Sequence, residues 1–445
     1  MNARALALGL LLLLPCRDAA ATQIPAVIVE QNEAMVTLTG PWRFHIGDNP
    51  AWAYPGRDDS DWEQVDLSAP ASATDGDVGL PHYASGWAAR GHPGYFGYAW
   101  YRLHLSLQTP ARERLALLGP WQVDSAYQVY ANGRLLGGVG DFSSTTPIAY
   151  GYHYPTFFTL PSPTTGSSAM VIAIRVWMGP WGLDDPQGGG IHIAPAIGAR
   201  SAIAAQYHLQ WLKIFAGYAV DAIPALLFFL AVIVVLCLRP FDRGGSTYPW
   251  LAAALLLSAI QRGNQPFFFW LQIETIREFV IIIIALTGSL SLGAWMMAWR
   301  AWFKVTRPGW LPRAAAALTL ALAITRLLAE PWLFNVGFPP FVDVAVRYLI
   351  TALRLAFLLM FVLIAYQGIR AGRGGWHALP AVLAIGTALF SAELSALHIP
   401  GIWFPWGVGV SLSECASVVF VLLLFALLLR RLWSYSDRRA FTADA

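Results

Sequence analysis

The chain has 445 residues, of which 56% are hydrophobic and only 12% charged, and its mean hydropathy is +0.50. A soluble protein carries roughly a quarter charged residues, so this composition points to a membrane protein. The formal net charge of +3 is too small to suggest nucleic acid as a partner.

The N-terminus reads as a signal peptide over residues 1–21. Arg4 supplies a positive start, Ala5–Pro15 an apolar core too short to span a bilayer, and Ala19-Ala20-Ala21 a cleavage site. Residues 24–200 follow as an exported domain rich in Trp, Tyr, Gly and Pro. The three cysteines are Cys16, Cys237 and Cys415, so no disulfide staples this domain. Short β-branched and aromatic stretches recur, among them Trp100–Leu107, Arg114–Leu118, Tyr127–Ala131 and Met170–Trp177. Asn132-Gly133 is a hairpin-turn signal, and no helical period intervenes. An all-β sandwich of jelly-roll type is expected.

Within this domain, Gly40-Pro41-Trp42-Arg43-Phe44, Gly47-Asp48, Trp52-Ala53 and Asp58-Asp59-Ser60-Asp61-Trp62 stand in order. Gly97-Tyr98-Ala99-Trp100-Tyr101-Arg102, Val129-Tyr130-Ala131-Asn132-Gly133 and Ile172-Ala173-Ile174-Arg175-Val176 come later. Together they resemble the galactose-binding-like jelly roll at the front of family 2 glycoside hydrolases. That resemblance implies carbohydrate binding but no glycosidase activity, because the family's catalytic barrel has no counterpart here.

Sugars stack on aromatic faces and hydrogen-bond at their edges. The candidate ligand residues are therefore Trp121, Trp177, Trp181, Asp184, Asp185 and Gln187, in Gly/Pro-rich polar segments. The competing reading is that these tryptophans pack the sandwich or dock it on the membrane. Asp58-Asp59 reads as a turn before a calcium site. The nine histidines show no metal-ligand spacing, and no nucleophile elbow, zinc or Walker motif is present. No cofactor, no metal and no catalytic residue is expected.

Residues 201–213 read as a juxtamembrane connector and 214–432 as a helical membrane domain. Seven windows are long and apolar enough to span: 214–238, 247–270, 278–299, 312–330, 342–366, 376–398 and 404–430. With the exported domain outside, Arg239, Arg243, Arg300, Lys304, Arg307, Arg313, Arg370, Arg373, Arg430 and Arg431 all fall inside. This predicts a multi-pass protein of the bacterial cytoplasmic membrane, N-terminal domain periplasmic and C-terminus cytoplasmic. The ionisable residues within the windows are Asp221, Arg262, Arg326, Arg347, Arg354, Glu393 and Glu414. Counting depth along straight helices puts Arg326, Arg347 and Glu393 roughly 5–8 Å below the outer boundary, and Arg354 and Glu414 roughly 15–18 Å below it. Two layers of ion pairs follow, which either fix packing or form a bistable element or small-ligand site.

A β-sandwich ahead of seven helices resembles the bacterial seven-transmembrane receptors with diverse intracellular signalling modules. The resemblance supports the class and names no ligand; a receptor of this class is expected here to take an extracytoplasmic small molecule or carbohydrate, to sit in the lipid bilayer and to work as a homodimer. The resemblance also implies a cytoplasmic output module of histidine kinase or diguanylate cyclase type. Only a short tail, 433–445, follows the last helix. The alternative is a transporter or channel with an exported accessory domain, although no inverted repeat is visible.

Overall fold

The computed structural model describes residues 26–29, 34–74, 80–107, 114–150, 154–161, 169–240, 245–334, 338–370, 375–398, 402–403 and 409–443. The expected signal peptide lies outside them.

The first half builds two facing sheets. Their strands are β1 Val27–Val29, β2 Met35–Thr37, β3 Trp42–Ile46, β4 Glu63–Val65, β5 Gly97–Leu107, β6 Leu115–Leu118, β7 Val123–Asp124, β8 Ala126–Ala131, β9 Arg134–Val139, β10 Phe157–Thr159, β11 Ala169–Met178, β12 Gly190–Ile191 and β13 Ala196–Ala199. The larger sheet runs β4-β3-β5-β11-β8-β9, with β1 added in parallel to β5, and the smaller runs β10-β6-β13-β2. All other pairings in the two sheets are antiparallel. Alternation along β5 sends Tyr101, Leu103 and Leu105 inward, where they meet Val129, Ile172 and Ile174 from the same sheet and Leu117, Phe158 and Ile197 from the other. The hairpin signalled by Asn132-Gly133 joins β8 to β9. Both turn residues take positive φ, 48° and 82°, as a two-residue turn requires.

The outer face of the large sheet is covered as well. Residues 50–65 fold over it, so Trp100 packs with Ala53, Trp62 and Ala173. Arg102, fully buried, donates to Asp59 Oδ2 at 2.6 Å and to the carbonyls of Trp52, Tyr54 and Arg57. His104 Nε2 lies 2.9 Å from the same carboxylate. Burial works to raise the Asp59 pKa, but the bonds from His104 and Arg102 outweigh it and hold the carboxyl below its usual range. Asp58 accepts from the Ser60 amide at 3.0 Å and closes a turn.

The second half is helical: α1 Arg200–Leu238, α2 Thr247–Leu271, α3 Ile276–Val280, α4 Ser289–Trp302, α5 Leu311–Leu328, α6 Pro340–Arg370, α7 Gly375–Leu389, α8 Ser391–Ser395 and α9 Leu412–Ala443. A π-helical stretch, Ile281–Gly288, joins α3 to α4. Among the described residues, five helical spans are long and apolar enough to cross a membrane: Arg200–Leu238, Ile276–Trp302, Leu311–Leu328, Phe341–Arg370 and Leu412–Trp433. The other two expected windows are also helical. However, α2 carries the polar run Gln261-Arg262-Gly263-Asn264-Gln265, and the apolar helix Trp376–Leu389 falls short. Leu226, Phe229, Leu230 and Ile233 on α1 and Tyr348, Leu359 and Val362 on α6 are exposed. An outer surface this apolar suits lipid rather than water.

The residues expected as a connector, 201–213, are the first turns of α1, which begins directly after β13. Most of the expected tail, 433–445, continues the last helix, since α9 runs to Ala443.

Candidate functional site

An aromatic seam and a groove stand where the sandwich meets the helices, and a cavity lies among the helices themselves. The seam is a shared hydrophobic cluster. From the sandwich it takes Trp121, Ala126, Ala149, Trp177 and Ile193, and from the helices Ile214, Tyr218, Phe268, Phe269 and Ile276. Trp181 packs edge-on to Trp177 at 5.4 Å and against Trp332 of the α5–α6 connection at 5.1 Å, while its Nε1 donates to Ser125 Oγ at 2.9 Å. Tyr154 meets Trp211 at 5.0 Å. The Ile276 amide donates to the Ala149 carbonyl at 3.1 Å, which ties the start of α3 to the sandwich backbone. The candidate ligand residues Trp177 and Trp181 therefore pack in the seam between the sandwich and the helices.

Asp185 and Gln187 are exposed, and Asp185 Oδ1 accepts from the Gln187 amide at 2.8 Å in a local turn. The side chain of Asp184 lies outside the described residues. The neighbouring Gly-rich loop is anchored from beneath: Gly189 donates to Asp124 Oδ2 at 2.9 Å, and fully buried His192 lies 2.9 Å from that same oxygen. His192 Nδ1 faces the Ala84 carbonyl at 2.9 Å, so both ring nitrogens meet acceptors. Burial alone would lower its pKa. The Asp124 carboxylate and the Ala84 carbonyl raise it above the usual histidine value.

The groove, of about 470 Å³, lies between the small sheet and α1. Thr37, Thr39, His82, Trp121, Gln206, Gln210 and Lys213 line it, so Trp121 joins a site that the other candidate residues do not. Lys213 Nζ sits 5.9 Å from the Trp121 ring centroid. Trp121 Nε1 and Gln210 Oε1 are buried without a hydrogen-bond partner among the described residues, an unusual condition for buried polar atoms.

The cavity, also about 470 Å³, lies inside the helical half, and α1, α2, the π-helical stretch, α4, α5, α6, α7, α8 and α9 all contribute to its wall. Arg262, Arg326 and Arg354 face it among serines and glutamines. The expected layers of ion pairs are rearranged. Arg354 pairs with Glu393, its Nη2 2.7 Å from Oε2, and also donates to the Leu389 carbonyl at 3.1 Å. Glu414 lies 3.8 Å from Arg262, which also stands 3.6 Å from Asp221. Arg347 pairs with Asp343 on the exposed face of α6, 3.0 Å away, and does not line the cavity. Arg326 lines it with no ion pair or hydrogen bond among the described residues.

Helix breaks explain the rearrangement. The chain breaks at Phe390 between α7 and α8, and α9 starts only at Leu412, behind a short β-hairpin of Ile402–Trp403 and Val410–Ser411. Glu414 thus sits in the first turn of α9, where its Oε2 accepts from the Ser411 amide at 2.7 Å. Straight-helix depth counting does not anticipate these breaks. Asp221 and Arg262 are legible as in-window charges, but their neighbourhood is not.

No family model matches this chain, and no curated protein matches it. Among solved structures it is weakly similar to a β-glucuronidase of Bacteroides uniformis, with 20% identity over 37% of this chain and 17% of that one and a TM-score of 0.27. A glycosyl hydrolase family 2 member from Bacteroides cellulosilyticus gives 19% identity, 37% and 20% coverage, and a TM-score of 0.28. For the Bifidobacterium dentium β-glucuronidase the values are 18%, 34%, 22% and 0.21. The chain thus spans about a fifth of the length of these proteins.

Proposed function

We propose that this chain is a signal-transducing membrane receptor of seven-transmembrane type. A periplasmic jelly-roll sandwich senses an extracytoplasmic ligand, with carbohydrate the first class to test. The helices relay that event, within a homodimer, to a cytoplasmic output module of histidine kinase or diguanylate cyclase type. The observation that carries this reading is the groove. One wall belongs to the sandwich and the other, through Gln206, Gln210 and Lys213, to α1. A ligand held there touches both bodies at once, and it shifts the helices only by binding one arrangement of that junction better than another.

The test places spin labels at exposed Phe96 of the sandwich and Trp433 of α9, both changed to cysteine with Cys237 and Cys415 replaced by serine. Interlabel distances are measured in nanodiscs with galactose, maltose or cellobiose. A sugar-dependent change supports the relay, whereas binding with an unmoved α9 label sinks it. If none of the three binds, carbohydrate falls as the ligand class.

A second reading, a transporter with an exported accessory domain, is favoured by the polar cavity among the helices. It predicts solute flux in proteoliposomes, where the receptor reading predicts none.

A further inference from the structure

The arginines of the cavity are not evenly matched. Asp221 and Glu414 both approach Arg262, while Glu393 engages Arg354 through both carboxylate oxygens. In direct pairs the three carboxylates go to two guanidinium groups, and Arg326 lines the cavity with no ion pair within 4 Å among the described residues, Glu393 acting on it only from farther away. A cation without a direct ion pair inside a membrane-spanning helix is costly, and in such proteins it marks a ligand or ion path. A guanidinium offers five donors in a planar fork suited to carboxylate or phosphate oxygens.

The surroundings favour the same chemistry. Gly288, the last residue of the π-helical stretch, gives Arg326 its room: a Cβ there would stand 2.5 Å from Nη1. π-Helical turns inside α-helices concentrate at functional sites. The volume of about 470 Å³ lies within the size range of small-molecule sites. Ser391, Ser395 and Gln265 add hydroxyl and amide groups to the lining.

We propose that the cavity is a binding site for a small oxyanion, a carboxylate or phosphate, held by Arg326 with Arg354 beside it. The inference needs the helical half to be membrane-embedded, as proposed above, but not the sandwich's ligand, so the two can fail separately. The oxyanion could be a free solute or a lipid headgroup.

The experiment uses the full chain in uncharged detergent and follows thermal unfolding by tryptophan fluorescence at constant ionic strength. Sodium chloride is the reference; acetate, succinate, inorganic phosphate and short-chain phosphatidylglycerol are the probes. At saturation, at least one oxyanion is expected to raise the midpoint by about 3 °C or more. A shift with acetate, succinate or phosphate identifies a soluble anion, and a shift with phosphatidylglycerol alone identifies a headgroup. Arg326→Gln is expected to abolish the shift while unfolding, without anion, no earlier than wild type. Arg326→Lys is expected to keep a reduced shift. Gly288→Ala, which crowds the guanidinium while keeping the charge, is the second variant, and it too should lose the shift. No shift with any probe, or an equal shift in Arg326→Gln, overturns the proposal.

Discussion

Arg102 in the sandwich and Arg326 among the helices are the same side chain in two different conditions. Arg102 is fully enclosed, with Asp59 and three backbone carbonyls engaging four of its five N–H donors. Arg326 faces a cavity and has no such set. A buried charge paired with a carboxylate and ringed by carbonyls holds a structure together. One with donors left open stands ready for something else. The sandwich is in this sense a finished platform, and the unfinished polar chemistry collects at its groove and inside the helices.

The contrast breaks first at Arg102. Arg102→Met strands Asp59 with only His104 and is expected to cost about 3–5 kcal/mol, read as an earlier unfolding transition of the sandwich. The double variant Asp59→Leu/Arg102→Met removes both charges and should recover most of that loss. Arg326→Met should cost little or nothing, since it breaks no ion pair or hydrogen bond among the described residues and leaves Glu393 with Arg354. Equal losses for Arg102→Met and Arg326→Met would erase the distinction.

The seam comes next. Trp181 is half-buried, so Trp181→Ala should lose roughly 2 kcal/mol, about half the cost of removing a fully buried tryptophan. Its coupling to Trp332 in a double-mutant cycle should be about 0.5–1.5 kcal/mol. A coupling of zero would mean that the two rings touch without holding the halves together.

Two titrations sharpen the comparison further. His192 has its pKa raised in the folded chain, so its contribution to stability is full below the unfolded value near 6.5. It fades as pH rises through the folded value. Acid-to-neutral denaturation curves of His192→Gln should lack that decline. The smallest effect belongs to Glu274, in the α2–α3 connection at the edge of the seam. Burial, helped by Glu278, pushes its carboxyl up to about 7. This raised pKa adds stability that is full below about 4.5 and is lost as pH climbs through about 7. Glu274→Gln should therefore flatten the stability profile between those values, and an unaltered profile would remove Glu274 from the account.

The periodic and the punctuated parts of the molecule were legible in its sequence. Asn132-Gly133 marks its hairpin because two consecutive positive φ values favour those residues. Alternation in Trp100–Leu107 marks a strand because the pleat has period two. Arg102 shows the limit: its place in that alternation points outward, and only the fold of residues 50–65 makes outward mean buried. Trp177 and Trp181 look equally suited to a sugar or to another protein surface, because an indole face is apolar in both uses, and their partners lie far away in the chain. The carboxylates Glu393 and Glu414 were recognisable as charges inside apolar windows. Their partners depend on breaks at Phe390 and before Leu412 that apolar composition does not reveal.

The central claim is that the sandwich and the helices are coupled across their junction, where the aromatic seam lies beside the groove. Hydrogen–deuterium exchange of the full chain in nanodiscs, wild type against Trp181→Ala, tests it most directly. The account predicts faster exchange at residues 268–288, spanning the end of α2, α3 and the π-helical stretch beside the cavity, with the sandwich core still protected. Faster exchange confined to the sandwich loops around residues 179–190, with the helices unchanged, would contradict it.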